Sequence, residues 1–136
     1  MNNLEPMTQT RLYGLNNYFL EFVRLFQLEI YPNKILFSGQ KGIGKSTLAY
    51  HFINYVLTEN EPFKNDLKNL EINIENRDFK TLLNRSNTNL SIIDVKSDKK
   101  SIDINQIRGL ITNLNKSSFN NKPRFVLLDN IELLNI

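Results

Sequence analysis

The stretch "GQKGIGKST", Gly39 to Thr47, narrows what this chain can fold into more than any other. Gly39-Gln40-Lys41-Gly42-Ile43-Gly44-Lys45-Ser46 satisfies G-x-x-x-x-G-K-[ST] at every fixed position. The glycines let the backbone bend so that successive N–H groups converge on phosphate oxygens. A helix directly after the loop adds its positive N-terminal end. Such a loop therefore needs a strand to bring the chain in and a helix to carry it away. "KILFS", before the loop, is a short apolar run expected to be a buried strand that stops at Gly39. Lys45 to Leu57, after it, sets Leu48, Phe52, Ile53 and Val56 on one helical face.

The rest of the chain alternates in the same manner. From Tyr13 to Glu29 the residues Leu15, Phe19, Phe22, Val23, Phe26 and Ile30 keep helical spacing, with Pro32 as the expected stop. The aromatic stripe Phe19, Phe22 and Phe26 is expected to be core. Glu59 to Asn89 is a polar insert rich in Asn, Lys and Glu, with a short helix expected around Asp78 to Asn84. "LSIIDV", Leu90 to Val95, is an expected second strand, and "SDKKS" a charged turn. Asp103 then caps a helix, with Gln106 three residues on as its capping-box partner. Ile104, Ile107, Leu110, Ile111 and Leu114 form that helix's apolar face. "NNKP" ends it, and "FVLLD" is the expected third strand. Strands alternating with helices imply an α/β fold, a parallel sheet covered by helices on both faces.

Composition sets outer limits. The 136 residues allow at most one domain, and the net charge of +3 is only mildly basic. There is no cysteine and one histidine, His51, which removes disulfides, thiolate metal sites and Cys nucleophiles. The N-terminus lacks the charged and apolar regions of a signal peptide, and no apolar run approaches the ~20 residues that cross a bilayer. The chain is expected to be soluble and cytoplasmic, without a membrane partner. Lys96, Lys99 and Lys100 fit either a solvated turn or a DNA-tracking patch.

The chemistry concentrates at the loop. Lys45 would reach the β- and γ-phosphates of ATP, the Ser46 hydroxyl would ligate Mg²⁺, and Thr47 would lie beside the α-phosphate. "FVLLD" supplies a strand ending in Asp129, a carboxylate able to hold the same Mg²⁺ through water. A GTPase is excluded: Asp129 is followed by Asn130, Ile131 and Glu132 rather than by a D-x-x-G switch, and Asn115-Lys116-Ser117-Ser118 lacks the Asp of a base-reading element. A small-molecule kinase would need an Arg-rich lid, and only Arg77 and Arg85 fall in the insert. That class, or another P-loop ATPase whose lid lies elsewhere, is the alternative.

"ILFSGQKGIGKSTLAYHF", "SIDINQIRGLITNL" and "PRFVLLDNIELLN", in that order, resemble the delta-prime subunit of the bacterial DNA polymerase III clamp loader, an AAA+ protein. The pairing of "IDINQIRGL" with "VLLDNIELLN" carries most of the likeness, which spans Leu12 to the end and is poor over Glu59 to Asn89. It implies a P-loop NTPase (AAA+) three-layer α/β/α domain, of which residues 1–136 are the N-terminal part, incomplete on the C-terminal side. It implies ATP and Mg²⁺ as cofactors and the other clamp-loader subunits as partners in a hetero-oligomer. Through that complex it implies the sliding clamp and primed DNA. Tyr13 and Gly14 would lie beside the adenine. The family's sensor segment, arginine-finger loop, lid and oligomerisation domain would follow Ile136. The zinc module of many relatives has no cysteines here to build it. Hydrolysing AAA+ relatives carry a Glu directly after the metal-binding Asp. Asn130 at that position cannot accept a proton, so weak or absent ATPase activity is expected, and Asn130→Glu is expected to raise it.

Overall fold

The computed structural model describes residues 5–134 as a mixed α/β chain that divides into two compact units, one ending at Asn87 and the other beginning at Thr88. Four helices and one two-stranded parallel sheet make up its regular structure, besides two single turns of 3₁₀ helix.

The first unit is built around α2, Lys45–Thr58. Every residue of α2 from Leu48 to Thr58 is buried, whereas the sequence marks only one apolar face. The polar members of that run are hydrogen-bonded in the interior, although Asn54 Oδ1 has no partner among the described residues. His51 Nε2 lies 2.8 Å from the Gln9 carbonyl oxygen, and Asn54 Nδ2 donates to Asn65 Oδ1 at 2.7 Å. The Tyr55 hydroxyl accepts from Gln27 Nε2 at 3.2 Å. The cover comes from three sides: α1 (Asn16–Gln27), the 3₁₀ turn Pro6–Thr8, and α3 (Arg77–Leu83). Phe19, Phe22 and Phe26 of α1 meet Phe52 and Tyr55 of α2 at ring separations of 5.5 to 6.4 Å, so the aromatic stripe packs inward, with Phe19 in the core and Phe22 and Phe26 half-buried at its edge.

The polar insert proves to be part of this core. Leu70, Ile72, Phe79 and Leu82 are buried, and the N–H groups of Leu12 and Ile72 donate to the carbonyls of Leu70 and Thr10. Asn76 caps α3 by accepting from the Phe79 N–H at 3.1 Å.

Helix α1 is shorter than its apolar spacing suggests. Gly14 sits at φ +75° and Leu15 is the non-helical cap, so the helix starts at Asn16. It ends before Pro32 is reached. Glu29 takes the left-handed conformation at φ 58°, the Ile30 N–H returns to Leu25 O, and the Glu29 N–H to Phe26 O. That pair of bonds is a Schellman stop.

The strand expected at Lys34 to Ser38 is absent. The segment has no ladder bonds; Ile35 and Leu36 are exposed, and Phe37 alone turns inward, onto Phe22 at 5.6 Å. A strand exists by pairing, and no described segment pairs with this one. Among the described residues the sheet therefore has two strands instead of three.

The second unit is a strand, a helix and a strand. β1, Leu90–Ile93, pairs in parallel with β2, Phe125–Leu128, in the register Leu90 to Phe125 through Ile93 to Leu128. α4, Ile104–Leu114, connects them. Its start is the expected capping box: Asp103 Oδ1 accepts from the Asn105 N–H, and the Asp103 N–H donates to Gln106 Oε1. Gln106 Nε2 also donates to the Asp94 carbonyl, which ties the helix start to the end of β1. α4 has no buried residue, and Ile104, Ile111 and Leu114 are exposed. No helix among the described residues is long and apolar enough to cross a membrane.

Candidate phosphate-binding site

Residues Gly39 to Gly44 form a loop that runs straight into α2, with Gly44 as the N-cap and Lys45 to Thr47 as the first helical turn. Gly42 and Gly44 take φ +83° and +100°, where a side chain is strained. Gly44 has a second reason to be glycine: a Cβ there would sit 3.3 Å from Leu15 Cδ1. Leu15 thus braces the loop from the N-terminal segment, a role its place in the apolar pattern does not reveal. Tyr13, two residues away, is exposed.

The first intrahelical bond of α2 runs from the Leu48 N–H to the Gly44 carbonyl. The amides of Lys45, Ser46 and Thr47 precede it in the first turn, at the positive end of the helix. The first turn carries no acidic side chain and one lysine. Lys45 Nζ folds back over the loop and donates to the carbonyls of Gly39 at 2.7 Å and Gln40 at 2.9 Å. An ammonium has three donors, so these two bonds fix its position and leave one direction for an acceptor above the loop. Positive charge, oriented amides and an exposed loop at Lys41, Gly42 and Ile43 make a surface suited to a polyphosphate. Ser46 and Thr47 are half-buried in the same turn.

Asp129 belongs to the second unit, so the two residues expected to share Mg²⁺ lie on separate units, Ser46 on the first and Asp129 on the second. Asp129 follows β2 directly. Its N–H donates to the Ile93 carbonyl at 2.9 Å, and its Oδ1 accepts from the Asn130 N–H at 3.0 Å. Beside it, at the matching end of β1, stands Asp94, which the sequence signals in the same way as Asp129: an apolar strand closing on a carboxylate. Asp94 Oδ1 accepts from Asn130 Nδ2 at 2.9 Å. Asn130 itself sits at φ 51°, ψ 44°, a conformation asparagine tolerates better than most residues. A glutamate in its place would be strained and would set one carboxylate against another. The Asn130→Glu exchange, attractive on sequence grounds, is therefore a poor way to create a base here. Glu132, the nearest other carboxylate along the chain, is exposed on the 3₁₀ turn Ile131–Leu133.

A family model described as "DNA polymerase III, delta subunit" matches residues 16–136. The chain belongs to that family. Membership ties it to the clamp-loader complex of DNA polymerase III and so to DNA replication, as a subunit of a hetero-oligomer. Neither a curated protein nor a solved structure matches the chain.

Proposed function

We propose that the chain is an ATP-binding, delta-prime-like subunit of the clamp loader, and that it holds nucleotide while turning it over slowly or not at all. Family membership supports the complex. The single observation that carries ATP binding is Lys45, fixed over a loop whose left-handed Gly42 and Gly44 lead into the α2 N-terminus. Gly39 to Thr47 would hold the phosphates. Within the first unit Ser46 is the proposed Mg²⁺ ligand, and the ion would supply charge neutralisation at the β- and γ-oxygens. Slow turnover follows from Asn130. Its amide nitrogen donates to Asp94, and an amide has no capacity to take a proton from water. General-base assistance contributes about 10²–10⁴-fold in rate, so its lack is readily measured.

Titration of a fluorescent ATP analogue into the intact protein tests the binding. Lys45→Ala should weaken it by about 1.5–3 kcal/mol, the worth of a charged hydrogen bond to phosphate. Equal affinity in both proteins would refute the proposal. Phosphate release by the isolated and assembled protein should stay near background, and robust turnover abolished by Lys45→Ala would overturn the second half.

A further inference from the structure

The loop between α4 and β2 carries chemistry that the phosphate site does not use. From Ile104 to Leu128 the chain has no carboxylate, and its charged residues are Arg108, Lys116, Lys122 and Arg124. At the tip of the loop Phe119 is 88% exposed, the most exposed large apolar side chain among the described residues.

The loop is pinned at its base. The side-chain amides of Asn89 and Asn120 exchange reciprocal hydrogen bonds of 2.9 and 3.0 Å, and Asn89 Nδ2 also reaches the carbonyls of Lys122 and Pro123. Asn89, just before β1, is buried. Ser118 Oγ donates to the Asn120 carbonyl at 2.7 Å, and the Lys122 N–H to Asn120 Oδ1 at 3.0 Å. Phe119 is therefore presented to solvent by a bonded turn.

Arg124 prepares the same end of the unit for a negative partner. Its guanidinium donates to the carbonyls of Asn113, Leu114 and Lys116 at 2.7 to 3.1 Å. Those groups are the negative end of α4, and a cation bonded to them offsets the repulsion an approaching anion would meet. Lys116 beside them is exposed, as is Arg108 one helix segment earlier.

We propose that the 115–123 loop is a contact for single-stranded nucleic acid, in which Phe119 stacks on a base and Lys116 pairs with a backbone phosphate. An exposed aromatic ring set in a stretch of one charge sign is the pairing by which single strands are held without sequence preference. A protein pocket would take Phe119 for its apolarity alone, whereas the carboxylate-free stretch of chain that carries it suits a polyanion. The proposal does not rest on ATP binding, since the loop and the phosphate site lie on separate units.

The test is fluorescence anisotropy of a labelled oligothymidylate of about 16 nucleotides with the intact protein at about 50 mM salt. Phe119→Ala should weaken binding about five- to hundredfold. Phe119→Leu, which keeps the apolar bulk without the ring face, should weaken it likewise, whereas Phe119→Trp should retain it. The chain has no tryptophan, so the Phe119→Trp protein carries a single indole whose emission should be quenched when a base stacks on it. Lys116→Gln should reduce the slope of log affinity against log salt by about 0.7, one phosphate contact on a single strand. Absence of binding, wild-type affinity in Phe119→Leu, or an unquenched indole in the complex would overturn the proposal. Loss of a clamp-loader subunit contact in Phe119→Ala with unchanged oligonucleotide affinity would reassign the loop to a protein pocket. ATP-analogue titration of the same preparations reports the phosphate site separately, so the two proposals fail independently.

Discussion

At the scale of single residues, His51 has the clearest measurable consequence. It is the one histidine of the chain and is almost wholly buried in α2. The Gln9 carbonyl oxygen only accepts, so Nε2 carries the proton of the neutral ring. Burial holds the imidazole below its ordinary pKa, and the bond to Gln9 opposes that shift without cancelling it. The unfolded chain therefore binds this proton at a higher pH than the folded one. Stability is complete above the unfolded value, about 6.5, and falls as pH drops from there through the folded value. The slope cannot exceed about 1.4 kcal/mol per pH unit for one proton. Urea unfolding at a series of pH values between about 7.5 and 5 should show this loss, and His51→Gln should flatten it. A slope of the same size in the mutant would place its origin elsewhere.

At the scale of elements, what the sequence disclosed depended on how far away the deciding partner lay. The Asp103 capping box, α3 and the α2 start are settled by residues within a turn or two of one another, and all were legible. Lys34 to Ser38 has an apolar run before a glycine, yet a ladder needs a neighbour, and neither composition nor periodicity supplies one. The end of α1 is a related case. Pro32 is a visible stop, but the Schellman bonds act three residues earlier and require Glu29 to hold a left-handed φ, which no pattern of apolar residues announces. Of the phosphate site, the loop and its helix were legible because the motif is contiguous; Leu15 against Gly44 and Asn130 against Asp94 were not, being contacts across the fold. Glu29 carries a Cβ where glycine is preferred, and it is exposed. Glu29→Gly should raise the stability of the first unit by about 0.5–1 kcal/mol, measured as a higher urea midpoint at constant m-value. A lower midpoint would mean that Glu29 makes compensating interactions.

At the scale of the whole molecule, the two units differ in how much they bury. The first buries α2 from Leu48 to Thr58, whereas the second has Asn89, Ile93 and Ile102 as its buried residues among those described and an α4 with none. Amides protected only by the second unit should open at lower free energy. Hydrogen exchange followed by mass spectrometry should show α4, β1 and β2 exchanging ahead of α2, and equal protection across both units would contradict the difference in burial. The enclosure of α2 has one more effect. An ordinary surface helix offers evolution a solvent side on which sequence can drift freely. Leu48 to Thr58 has no such side, and Gly42 and Gly44 just before it are confined by backbone conformation. From Leu48 to Thr58 every substitution meets packed neighbours, so the first unit has its room for change on α1's outer face and at the exposed tips of the insert.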